Sequence, residues 1–147
     1  MSKSKSSLFL IELIIVILFF SLTSTVCIQL FVKAHLIGKH TSELNHSVEI
    51  AQNLAESFYG MNGDYDDFIE VLGLTAVGNS CLICYDEEFL QRNISVNEAS
   101  YYAQLEYHEV DQIHTILIQI VNADTLEVLY SLDVDKYIRS GGDRYAE

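Results

Sequence analysis

The chain has 147 residues, half of them hydrophobic, and carries 21 Asp and Glu against eight Lys and Arg, a net charge of −13. That length allows one ordinary domain. From Ala34 onward, 20 acids face five Lys and Arg, which argues against direct nucleic-acid binding there, since a phosphate backbone needs a basic patch.

Residues 1–7 form a short basic leader with Lys3, Lys5 and no acid. Residues 8–32 are uncharged except for Glu12, and 18 of these 25 are Leu, Ile, Val or Phe. About 20 apolar residues cross a bilayer, so a transmembrane helix is predicted. At roughly 0.3–0.6 kcal/mol each, those side chains contribute about 5–11 kcal/mol to insertion, against ~2.5–3.5 kcal/mol for a central carboxylate. The helix therefore inserts despite Glu12, and the acid needs a partner. The basic flank stays cytoplasmic, which predicts a cytoplasmic-membrane protein with its N-terminus inside and its C-terminal domain outside. Lys33, Lys39 and several histidines beyond the span blur that asymmetry. A cleaved secretory signal competes with this reading, but the run is long for one and no small-x-small site closes it. Ser24-Thr25-Val26-Cys27 has only part of a lipoprotein cleavage site, because Val26 is bulky.

Residues 33–59 continue the helix with a different character. Ile37, Thr41, Leu44, Val48, Ala51, Ala55 and Phe58 recur at spacings of four and three, with Glu43, Glu49, Gln52 and Glu56 between them. This predicts one apolar stripe, and Ile37, Leu44, Val48, Ala51, Ala55 and Phe58 are its expected packing residues against a sheet. The chain has no proline to break the helix, and only Gly38 weakens it, by roughly 1 kcal/mol. Gly60 and Gly63 signal its end, giving a helix of about 78 Å at 1.5 Å per residue.

Residues 60–139 read as an extracytoplasmic α+β domain. A loop around Asp64 leads to a short helix through Phe68, Ile69, Val71 and Leu72, ending near Gly73. Leu82–Tyr85 reads as a short strand. Tyr101–His108 alternates apolar and polar, Ile113–Val121 is apolar on both faces, and Leu126–Val134 alternates again, with Asn122–Thr125 as a hairpin loop. Residues 140–147 are expected to be a loose tail. The fold class is α+β: a long N-terminal helix covering one face of a C-terminal antiparallel sheet.

Candidate chemistry is sparse. Cys81 and Cys84 form a Cys-x-x-Cys without the βαβ context of a redox motif or a second pair for zinc. Buried free thiols are expected, with a local disulfide as the alternative, which needs a turn because strand residues three apart face opposite ways. Asp64, Asp66 and Asp67 are weak calcium candidates, short of an EF-hand pattern and better read as a solvated acidic loop. No other cofactor is implied. The histidines at 35, 40, 46, 108 and 114 lack ligand spacing, and nothing supports catalysis.

Ser6-Ser7-Leu8-Phe9-Leu10-Ile11-Glu12-Leu13 resembles the processing site of the type IV pilin-like family, which includes pilins, pseudopilins of type II secretion and competence pseudopilins. The resemblance implies cleavage between Ser7 and Leu8 by a prepilin peptidase, a methylated amine on Leu8, and Glu12 as the fifth mature residue. It also implies other pilin-like subunits and the lipid bilayer as partners, in a fibre that leaves the membrane. The chain departs from the family in having Ser7 for Gly, Leu8 for Phe and Phe9 for Thr, and Gln29 where many members carry proline. A buried amine and a buried carboxylate are each costly alone, so pairing Leu8 of one copy with Glu12 of the next sets the register of bundled helices. The alternative is an unprocessed single-pass anchor displaying a small binding module to an envelope partner.

Overall fold

The computed structural model describes residues 3–138; the tail expected at 140–147 lies outside the described residues. The chain divides into two compact units, Met1–Ser42 and Glu43–Glu147, and the division falls within one helix, α1, which runs Lys3–Gly60. Helix already begins within the expected leader. The Phe58 carbonyl accepts from the Gly63 amide at 3.0 Å at its end, with Asn62 and Gly63 both at positive φ (56° and 76°). Glycine is needed at 63 for a second reason: a Cβ there would sit 2.9 Å from Cγ of Lys136.

Helix α2, Tyr65–Val71, starts three residues before the expected Phe68. The cause is Asp64, whose carboxylate accepts the amides of Asp66 (3.0 Å) and Asp67 (3.1 Å) and satisfies two orphan donors of the first turn.

Among the described residues six antiparallel strands follow: β1 Ala76–Val77, β2 Ser80–Tyr85, β3 Gln91–Arg92, β4 Tyr101–Val110, β5 Ile113–Asn122 and β6 Val128–Tyr137. The sheet order is β1-β2-β4-β5-β6. β2 pairs with β4 along its whole length, so β1 and β3 pair with the two ends of its other edge. The three long strands form the predicted meander, two of them read from alternation and β5 from its run of residues apolar on both faces. β6 starts at Val128 rather than Leu126 for a local reason. Asn122 Oδ1 accepts the amides of Asp124 and Thr125, each at 3.0 Å, and Leu126 turns through φ 57°, which lengthens the loop.

The core lies between α1 and one face of the sheet. Leu105 on β4 and Ile116, Ile118 and Ile120 on β5 are fully buried beneath Ala51, Leu54, Ala55 and Phe58, and α2 adds Phe68. Each such Leu, Ile or Phe contributes about 1.5–3 kcal/mol. The observed buried stripe differs at its start from the expected one. Ile37 belongs to the other unit and is 66% exposed, and Leu44 is 37% exposed. Val48 is half-buried, whereas Ser47 and Leu54, absent from the expected stripe, are buried. Ser47, Ala51 and Ala55 are small enough for close helix–sheet approach, and the Ser47 hydroxyl is satisfied by donating to the Glu43 carbonyl at 2.7 Å.

Candidate functional site

In the first unit, α1 is long and apolar enough to cross a membrane, and none of its most apolar stretch is buried. Ser7, Leu8 and Glu12 all sit on this exposed helix. The span also contains hydroxyls, and the helix itself satisfies three of them. Ser21 donates to the Ile17 carbonyl (2.9 Å), Thr23 to Phe19 (2.9 Å) and Thr25 to Ser21 (3.0 Å). Such back-bonding removes the cost of placing these groups among hydrocarbon. Glu12 lacks that remedy, because a carboxylate cannot donate to a backbone carbonyl. It is therefore the polar side chain in the span with the most to gain from an outside partner.

In the second unit, the end of the β4–β5 hairpin assembles a polar cluster. The Tyr107 hydroxyl lies 2.6 Å from Nδ1 of His114 and 3.3 Å from Oε2 of Glu109. His114 Nδ1 is also 3.1 Å from the Gly63 carbonyl, and its Nε2 is 3.6 Å from Oε1 of Glu109. One ring nitrogen cannot accept from Tyr107 and donate to Gly63 at once, so the cluster has two hydrogen-bond arrangements. Burial, followed by the charge of Glu109, pushes the Tyr107 hydroxyl up to about 12. Tyr65 stacks on Tyr107 with centroids 4.7 Å apart, and its buried hydroxyl has no partner among the described residues. A cavity of about 320 Å³ opens beside these groups, lined also by Asp64, Asp66 and Asn79. Sequence reasoning missed this cluster because Tyr107 and His114 meet only through the strand register. His108 lies on the neighbouring strand and is exposed; Thr115 is its cross-strand partner.

The remaining sequence candidates are dispersed. Cys81 and Cys84 are buried free thiols on β2, and pairing of Cys81 with Leu105 and of Cys84 with Tyr102 sets them on opposite faces, so the alternative disulfide is not formed. Burial raises both thiols above their ordinary value. Asp64 spends one carboxylate oxygen on capping α2, and among the described residues no group of three or more His, Cys, Asp or Glu is arranged to hold a metal ion. His35 and His40 are exposed on α1, and His46 stacks on Phe89 at 5.0 Å. No family model, curated protein or solved structure matches this chain.

Proposed function

We propose that the chain is a structural subunit, a minor pilin or pseudopilin, of a type IV pilus-like or type II secretion fibre. A prepilin peptidase cuts after Ser7, the new amine of Leu8 meets Glu12 of a neighbouring subunit, and the acidic domain faces outward from the cytoplasmic membrane. The observation that carries this reading is a lone carboxylate, five residues from the proposed cut, on an exposed apolar helix whose far end packs on an antiparallel sheet. Polar pairing between helices in lipid acts chiefly as a register device.

Mass spectrometry of the membrane-purified protein tests the reading. Loss of residues 1–7 with a methylated Leu8 is expected, and Glu12→Ala is expected to abolish fibre incorporation. Full-length protein in cells with an active peptidase, or normal incorporation of Glu12→Ala, overturns it. The departures at Ser7, Leu8 and Phe9 favour one other reading, an unprocessed single-pass anchor carrying a binding module, which predicts the full-length mass.

A further inference from the structure

Val110, Ile113 and Tyr137 are cross-strand neighbours in register, forming one row across β4, β5 and β6 at the end of the sheet. Strand alternation sets all three on the face opposite the core, because Leu105, Ile116, Ile118 and Val134 fill the other one. They are 68%, 47% and 64% exposed. Isolated exposed apolar residues need no explanation, but a contiguous row across three strands marks an interaction surface.

The surroundings of the row have one sign. Asp111 occupies the turn beside it, and Asp133, Asp135 and Glu106 share its face. Residues 43–138 hold 18 Asp and Glu against two cations, Arg92 and Lys136, a balance of −16. Both cations are engaged: Arg92 Nε lies 2.7 Å from Asp86, and Lys136 Nζ sits 5.1 Å from the centre of the Tyr59 ring. Among the described residues two bases share this face: His108, on β4 beside Val110, and Arg92, on β3 beyond β2 and cross-strand from Cys84. Such a field favours a cationic partner and disfavours a second copy of the same face.

We infer that the Val110–Ile113–Tyr137 row docks a protein partner whose contact surface sets Lys or Arg side chains around an apolar centre. The row supplies the desolvated middle of the contact and the surrounding carboxylates its orientation. The inference stands whether or not Ser7–Leu8 is cut.

The test uses the full chain in its native membrane, with a photoreactive phenylalanine analogue at Val110 and, as a control, at exposed Gln52 on α1. The expected result is an adduct from position 110, and none from 52, to a different protein whose crosslinked stretch is net positive. Its yield falls about fivefold when salt is raised from about 0.05 to about 0.5 M, because screening shortens the range of the attraction. Ile113→Ser loses the adduct while the melting curve is kept. The inference is overturned by no protein adduct at 110, by an adduct to a second copy or to residues 139–147 of the same chain, or by a contact stretch without net positive charge. Yield indifferent to salt overturns it too.

Discussion

The hydroxyl of Tyr101 donates to Oε1 of Glu43 at 2.9 Å, tying the first residue of β4 to the point on α1 where the second unit begins. The same ring stacks on Phe89 at 4.0 Å, and Phe89 stacks on His46 at 5.0 Å. Phe89 has φ 58°, an uncommon conformation for a bulky residue. Asp86 holds the loop there, its Oδ1 accepting the amides of Glu88 (3.1 Å) and Leu90 (2.9 Å). Helix, loop and sheet are thus fastened by one aromatic ladder with a charged hydrogen bond beside it.

Tyr101→Phe removes that bond and keeps the stack. A hydrogen bond to a charged group is worth about 1.5–3 kcal/mol, and the part-exposed site brings the expected loss to about 1–2 kcal/mol. Thermal unfolding followed by near-ultraviolet circular dichroism then shifts downward by several degrees. The alkaline limb gives a second readout. Burial first, then the bond to Glu43, raises the Tyr101 hydroxyl to about 12 in the folded chain, above the ordinary value of 10.0. A raised folded pKa contributes stability that is complete below the unfolded value and lost as pH climbs through the folded one. Wild type therefore loses stability between about pH 10 and 12, and Tyr101→Phe shows a shallower loss. Tyr85 and Tyr107, also raised to about 12, keep part of that loss in the variant.

Phe58→Ala opens a cavity at a fully buried position where the ring meets Phe68 edge-on at 5.8 Å. The expected cost is about 3–5 kcal/mol, a large share of the roughly 5–15 kcal/mol that holds a typical domain folded. Ile37→Ala, at an exposed position in the other unit, is expected to change domain stability by less than about 0.5 kcal/mol. Denaturant titration of both variants in detergent measures the contrast. Equal costs at the two positions would contradict the burial described for α1.

The contrast between Phe58 and Ile37 also shows what periodicity encodes. Apolar recurrence along 37–58 marked a stripe, but periodicity carries no information about where a partner surface starts. The sheet's cover begins near Glu43, so the stripe is used only from there. The strands β4 and β6 were legible because one buried face forces alternation, and β5 because a strand between two others is apolar on both faces. β1 and β3, two residues each, carry no period at all and exist only as pairings with the ends of β2. The Tyr107–His114 cluster was hidden for a related reason: its members are joined by register, not by sequence spacing. The N-cap of α2 was open to detection, since an Asp before a short apolar run is a known start signal.

Asp64→Ala tests that cap. Loss of the acceptor for the Asp66 and Asp67 amides is expected to cost about 1 kcal/mol, while Asp64→Asn costs a few tenths. Denaturant midpoints of the two variants check the order. If carboxylate charge rather than capping mattered most, Asn would fare as badly as Ala.

Cys81 and Cys84 give a chemical test of strand β2. A regular strand rises about 3.3 Å per residue, so residues three apart have Cα atoms about 10 Å apart, beyond the ~7 Å that a disulfide spans. The Cys81 thiol points into the core side and donates to the Thr75 carbonyl at 3.5 Å, whereas Cys84 belongs to the opposite face. Burial raises both thiols, so less thiolate is present near neutral pH than for a free cysteine, and the thiolate is the reactive form. In a Cys27→Ser background, mild oxidant is therefore expected to leave the folded protein without an internal disulfide. A thiol reagent is expected to label Cys81 and Cys84 slowly until denaturant is added, and rapidly afterwards. Rapid formation of a Cys81–Cys84 bridge with unchanged circular dichroism would require a turn at Leu82–Ile83, and with it a different β2.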